Sequence, residues 1–183
     1  MRFWSMVMLV GLGAVFYIGW RGRQAFAKVI PPGYVKVYWA VFLLFASTFI
    51  LRRFLEPGQF FSGVITWVGA YMMAVLFYGF LLVLLIDLAR FFDRWLRFIP
   101  GPVKQSPAKV GLAAVILITV LMVYGTWNAW HPVISQYEIS IPQNANGLKQ
   151  VRAVMLSDLH LGEIVNNERL QRIVAIINEQ NPD

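Results

Sequence analysis

Val151-Arg152-Ala153-Val154-Met155-Leu156-Ser157-Asp158-Leu159-His160-Leu161-Gly162 is the stretch in which an apolar run stops at two side chains able to hold a metal. Val151, Ala153, Val154, Met155 and Leu156 have the length and composition of a buried strand. In extended backbone, residues two apart point to the same side. The Asp158 carboxylate and the His160 imidazole are therefore expected to converge on one ion. They would do so past the carboxyl end of the strand, where open α/β sheets place their sites. A hard oxygen donor beside a nitrogen donor suits Mn, Fe or Zn better than Ca or Mg. Gly162 lets the chain turn tightly after the pair. Asp-x-His alone is a weak pattern, met mostly in solvated loops, and its weight comes from the strand in front of it.

Working outward, Asn166 or Asn167 can cap a following helix. Leu170, Ile173, Val174 and Ile177 recur at helical spacing and give it a face that can lie on a sheet. Glu168, Arg169, Gln171 and Arg172 point outward, and Asn181-Pro182-Asp183 stops the helix. Upstream, Val133, Ile134, Tyr137, Ile139 and Ile141 suggest a strand. Asn146-Gly147 is a strong hairpin signal that turns this strand back towards Val151. Strand, ligand turn and helix make the first half of a βαβ unit.

The block Leu-Ser-Asp-Leu-His-Leu-Gly at 156–162, with the helix that ends in Asn-Pro-Asp, resembles the first motif of the calcineurin-like metallophosphoesterases. The resemblance is to a membrane-anchored, bacterial-type member and covers about 133–183. It implies a binuclear site with two divalent ions that hydrolyses phosphate mono- or diesters or diphosphates, with Asp158 and His160 as ligands of the first ion. The family's later Gly-Asp, Gly-Asn-His and His motifs do not occur in 1–183. Asp183 matches the opening of the family's next strand rather than a bridging ligand, and no catalytic residue is assignable. The chain is thus expected to be a fragment truncated after the first motif, inactive by itself.

Composition decides the other two thirds. Hydrophobic residues make up 58% of the 183 and charged residues 14%, with a mean hydropathy of +0.61. This is too apolar for a soluble globule and points to membrane spans. The absence of cysteine excludes disulfides, thiolate-bound zinc and a cysteine nucleophile. Four spans are expected, at about 3–20, 34–51, 60–86 and 110–130, making an anchor domain over 1–131 that joins a phosphoesterase fragment over 132–183. Length and flanking arginines make the first a retained helix rather than a cleaved signal. Ser62, Thr66, Ala70 and Ala74 line one face of the third and would permit close helix approach. The basic and aromatic run at 90–98 is expected to lie at the headgroups. None of the four cores contains a charged residue or a histidine, which argues against an ion or proton pathway.

The net charge of +7 is spread over short loops, which fits topology signals and anionic lipid contacts rather than nucleic acid. Arg21, Arg23, Lys28, Lys36, Arg90, Arg94, Arg97, Lys104 and Lys109 flank the first and third loops, against Arg2, Arg52 and Arg53 opposite. The bias puts those loops in the cytoplasm. Both termini and the Asp158 motif then face the extracytoplasmic side of a multi-pass cell-membrane protein. His131, between Trp130 and Pro132, reads as an interfacial hydrogen-bonding residue. The expected partners are membrane lipids and a phosphorylated substrate, with lipid-linked phosphates among the candidates. The rival is a non-enzymatic integral membrane protein, either a truncated product or an assembly partner.

Overall fold

The computed structural model describes residues 2–56, 60–140, 150–162 and 164–183. Four long helices dominate: α1 (Arg2–Ala25), α2 (Val35–Leu51), α3 (Phe60–Leu96) and α5 (Pro107–Trp130). A single turn, α4 (Gly101–Lys104), lies before α5, and α6 (Asn167–Glu179) follows the motif. The chain divides into two compact units, Met1–His131 and Pro132–Asp183.

All four long helices are long and apolar enough to cross a bilayer. Their packing inverts the rule for soluble proteins. Among the described residues no hydrophobic side chain is buried, whereas Ser62, Asp93 and Thr48 are. Glycines let the helices approach, Gly19 against Trp39 and Phe42 and Gly69 against Phe49, and residues such as Leu9 and Phe61 face outward, as lipid-facing side chains do. The chain is a membrane protein.

Cross-helix contacts fix an alternating bundle. The Tyr38 hydroxyl donates to the Gly19 carbonyl at 2.8 Å, joining the start of α2 to the end of α1. Tyr71 and Thr126 share a hydroxyl bond of 2.8 Å between the early part of α3 and the late part of α5. Gly69 is where α3 comes closest to α2: a β-carbon there would sit 3.1 Å from the Phe49 amide nitrogen and 3.2 Å from its Cα. This close approach lies within the small-residue face of α3, between Thr66 and Ala70. The ends of α1 and α3 and the starts of α2 and α5 therefore share one end of the bundle. All nine basic residues that flank the first and third loops cluster there.

Of the run at 90–98, expected at the headgroups, the part up to Leu96 continues α3, because nothing breaks a helix before Pro100 and Gly101. At 37 residues and a rise of about 1.5 Å per residue, α3 is roughly 55 Å long, well beyond a hydrocarbon core of about 30 Å. It ends where Arg97 enters the left-handed region (φ 49°) and its amide donates to the Asp93 carbonyl at 2.9 Å. The Asp93 carboxylate then accepts the Ile99 amide at 2.7 Å and pairs with Lys104 at 2.5 Å. These contacts tie the turn to the helix.

His131 closes α5. Its Nδ1 lies 2.7 Å from the Trp127 carbonyl, and its ring stacks on the Trp127 indole with centroids 4.1 Å apart.

Among the described residues no strand is present, and the anticipated β-hairpin and strand are not seen in them. The Asn146-Gly147 turn lies outside the described residues. Residues 133–140 and 151–156 carry no ladder, and a strand exists only where its amides and carbonyls find a partner strand.

Candidate metal centre

The motif sits between two points of attachment. At its start the Arg152 amide donates to Asp183 Oδ2 at 2.7 Å, and the Asp183 amide returns a bond to the Arg152 carbonyl at 3.0 Å. The Arg152 guanidinium also reaches the Gln180 carbonyl at 2.9 Å. The segment leading to the motif is thus tied to the residues just after α6. At the other end the Gly162 amide donates to the Val165 carbonyl at 3.1 Å, closing a turn. Asn166 then caps α6, its Oδ1 accepting the Arg169 amide at 3.1 Å. On α6, Leu170, Ile173, Ile176 and Ile177 are half-buried. Val174 is exposed, so Ile176 takes the place assigned to it on the inner face.

Between these ties, Asp158 (φ 55°) and His160 (φ 46°) both adopt left-handed backbone. The tight bend resides in the two functional residues, not in Gly162. Aspartate and histidine enter this region more readily than most residues, yet each still costs on the order of 1 kcal/mol. The pair therefore does not meet by the extended-strand geometry anticipated for it. His160 Nε2 nevertheless lies 4.0 Å from Asp158 Oδ1, with both side chains more than four-fifths exposed. Leu159 between them is half-buried.

The donor chemistry fits a divalent ion. Ligand distances of about 2.0 to 2.2 Å put two donors on one ion roughly 3.0 to 3.4 Å apart. A side-chain adjustment of under about 1 Å brings this exposed pair to that spacing. Among the described residues no group of three or more His, Asp or Glu converges with them. Two donors leave most of an ion's coordination to other groups.

A protein of Danio rerio named "Transmembrane protein with metallophosphoesterase domain" is 36% identical to the chain over 116 residues, which is 63% of this chain and 26% of that protein. A protein of the same name from Bos taurus is 32% identical over 71 residues, 38% of this chain and 16% of that protein. The chain is thus similar to transmembrane proteins that carry a metallophosphoesterase domain.

Since Pro132–Asp183 holds only 52 residues, more than half of the 116-residue match falls among the helices. The family likeness thus includes the membrane unit. Both relatives are vertebrate proteins, so the likeness is not confined to bacterial members. The chain spans about a quarter or less of the length of these metallophosphoesterase relatives. No family model and no solved structure matches the chain.

Sequence reasoning missed a second polar cluster, inside the bundle. Arg21 on α1 and Asp87 on α3 form an ion pair, and the Tyr17 hydroxyl donates to the other Asp87 oxygen at 2.6 Å. Arg21 also donates to Gln24 at 2.6 Å. Each residue stands immediately beyond an uncharged span, so each reads alone as a topology mark. The available signal was that alternating helices put the ends of α1 and α3 at one level.

Proposed function

We propose that the protein is a membrane-anchored, metal-dependent phosphoesterase of the calcineurin-like type, hydrolysing phosphate mono- or diesters or diphosphates. The observation that carries this reading is the family likeness together with the approach of Asp158 and His160. In the proposal both side chains ligate the first of two divalent ions, with Mn, Fe or Zn as the metals. Asp158 supplies a charged oxygen donor, and His160 supplies a neutral imidazole nitrogen. Their left-handed backbone and the 4.0 Å approach of their side chains support this reading. Bound divalent metal lowers the pKa of attacking water and offsets charge building on the phosphoryl oxygens. The remaining ligands come from groups other than these two.

The tie between Arg152 and Asp183 supports a βα unit here. One backbone bond and one carboxylate bond join the start of the motif segment to the residue after the helix. That is the position a parallel neighbour strand takes in a βαβ crossover. The basic end of the bundle is assigned to the cytoplasm and the motif to the extracytoplasmic side. Tethering beside a bilayer raises the encounter rate with interfacial phosphates, which favours lipid-linked substrates.

The test is hydrolysis of bis(p-nitrophenyl) phosphate by the complete gene product with Mn, Fe or Zn added. Activity should require the metal, and Asp158→Asn and His160→Ala should each lower it at least about a hundredfold. Unchanged rates in both variants, or a metal-independent rate, would refute the assignment. Absence of any phosphoesterase activity would favour the non-enzymatic reading.

A further inference from the structure

Where α1, α3 and α5 meet, the bundle holds a cleft of about 280 Å³. One end is polar, with Arg21, Gln24, Asp87 and Arg90. The rest is apolar, with Ile18, Val83, Ala114 and Ile118 among its walls. The lining on α3 runs from Gly79 to Arg90 and on α5 from Pro107 to Ile118. Either stretch is roughly 16 Å along a helix axis. At Gly79 the three helices converge: a β-carbon there would lie 3.8 Å from Ile18 and 3.9 Å from Ile118. This convergence gives the channel a floor.

The polar end carries an unbalanced positive charge. Both Asp87 oxygens are engaged, one by Arg21 and one by the Tyr17 hydroxyl. Arg90 stands one turn beyond Asp87 on the same face of α3 and lines the cleft. Its guanidinium has no hydrogen-bond or ion-pair partner among the described residues. Arg21 follows eighteen uncharged residues, roughly 27 Å of helix, so this end lies at headgroup depth. A cation there, above an apolar channel, selects an anion that carries a hydrocarbon tail.

We propose that this cleft binds one anionic phospholipid, with its phosphate on Arg90 beside the Arg21–Asp87 pair and an acyl chain in the channel that ends at Gly79. This goes beyond the phosphoesterase reading and does not depend on it. The occupant is a lipid rather than a free phosphate because most of the lining is apolar and belongs to helices long and apolar enough to cross a bilayer.

The test is native mass spectrometry of the purified chain in an uncharged detergent, titrated with phosphatidylglycerol or with phosphatidylcholine of the same acyl chains. The wild type should retain one phosphatidylglycerol and prefer it over phosphatidylcholine. Arg90→Ala should weaken phosphatidylglycerol about tenfold, and Arg90→Lys should restore most of the affinity. Ala114→Phe, which puts a ring into the channel and leaves every charge in place, should abolish retention. Lys28→Ala removes a cation at the same end but outside the cleft and should change affinity under about twofold. Tryptophan-detected unfolding checks that each variant is folded. Should Arg90→Ala fail to fold, the wild-type lipid preference and Ala114→Phe still decide. Equal binding of both lipids would overturn the proposal. So would equal losses in Lys28→Ala and Arg90→Ala, or glycerol phosphate binding as tightly as the lipid.

Discussion

Asp87→Ala is the substitution the helical unit should tolerate least. It removes the partner of Arg21 and the acceptor of the Tyr17 hydroxyl in one step. A hydrogen bond to a charged group contributes about 1.5 to 3 kcal/mol, whereas side-chain hydrogen bonds between membrane helices average about 0.6 kcal/mol. The ion-paired side chains are each 26% exposed, so solvent and headgroups recover part of the loss. The expected destabilisation is about 2 to 3 kcal/mol. Arg21→Leu combined with Asp87→Leu should recover most of it, because an apolar pair leaves no unmatched charge. The assay is reversible unfolding in mixed micelles, followed by fluorescence of the seven tryptophans. A double-mutant cycle over Arg21 and Asp87 should return a coupling of at least about 1 kcal/mol. If Asp87→Ala costs under about 0.5 kcal/mol and the coupling is nil, α1 and α3 are not joined in this way.

Other consequences can be measured alongside. Gly69→Leu should force α2 from α3, since the nearest atoms are the Phe49 backbone, at a cost of about 2 kcal/mol in the same unfolding assay; a neutral effect would mean the helices do not approach there. Asp93→Ala removes the anchor of both Ile99 and Lys104, so trypsin should cut at Arg97 about tenfold faster; an unchanged rate would mean the turn is held by other contacts. Because the chain has no cysteine, single replacements report topology without background. Gln136→Cys should react with an impermeant maleimide in intact cells and Gln105→Cys only after permeabilisation, and the reverse pattern would invert the assigned orientation.

The four long helices were legible because hydropathy is a local property: Arg2–Ala25, Val35–Leu51, Phe60–Leu96 and Pro107–Trp130 contain or closely match the apolar runs. The end of α3 was not, since a hydropathy run stops at the first charge, Asp87, whereas a helix stops only at a breaker or a cap. The Arg21–Asp87 pair was hidden for another reason. Its members are 66 residues apart and meet only once the helices alternate. At the motif, residue types and spacing singled out Asp158 and His160, but left-handed backbone at both is a property of the folded turn. A strand at 151–156 is legible only as a propensity, because a ladder depends on residues far along the chain. The cap on α6 was legible, being set by Asn166 and the amide three residues on.

The account stands most directly on the metal content of the complete gene product, measured by elemental analysis and Mn(II) electron paramagnetic resonance after purification with the metal present. The wild type should hold two ions per chain, and Asp158→Asn and His160→Ala should each release at least one at unchanged fold. Equal metal content in the wild type and both variants would contradict the assignment of Asp158 and His160 as ligands, and with it the phosphoesterase reading.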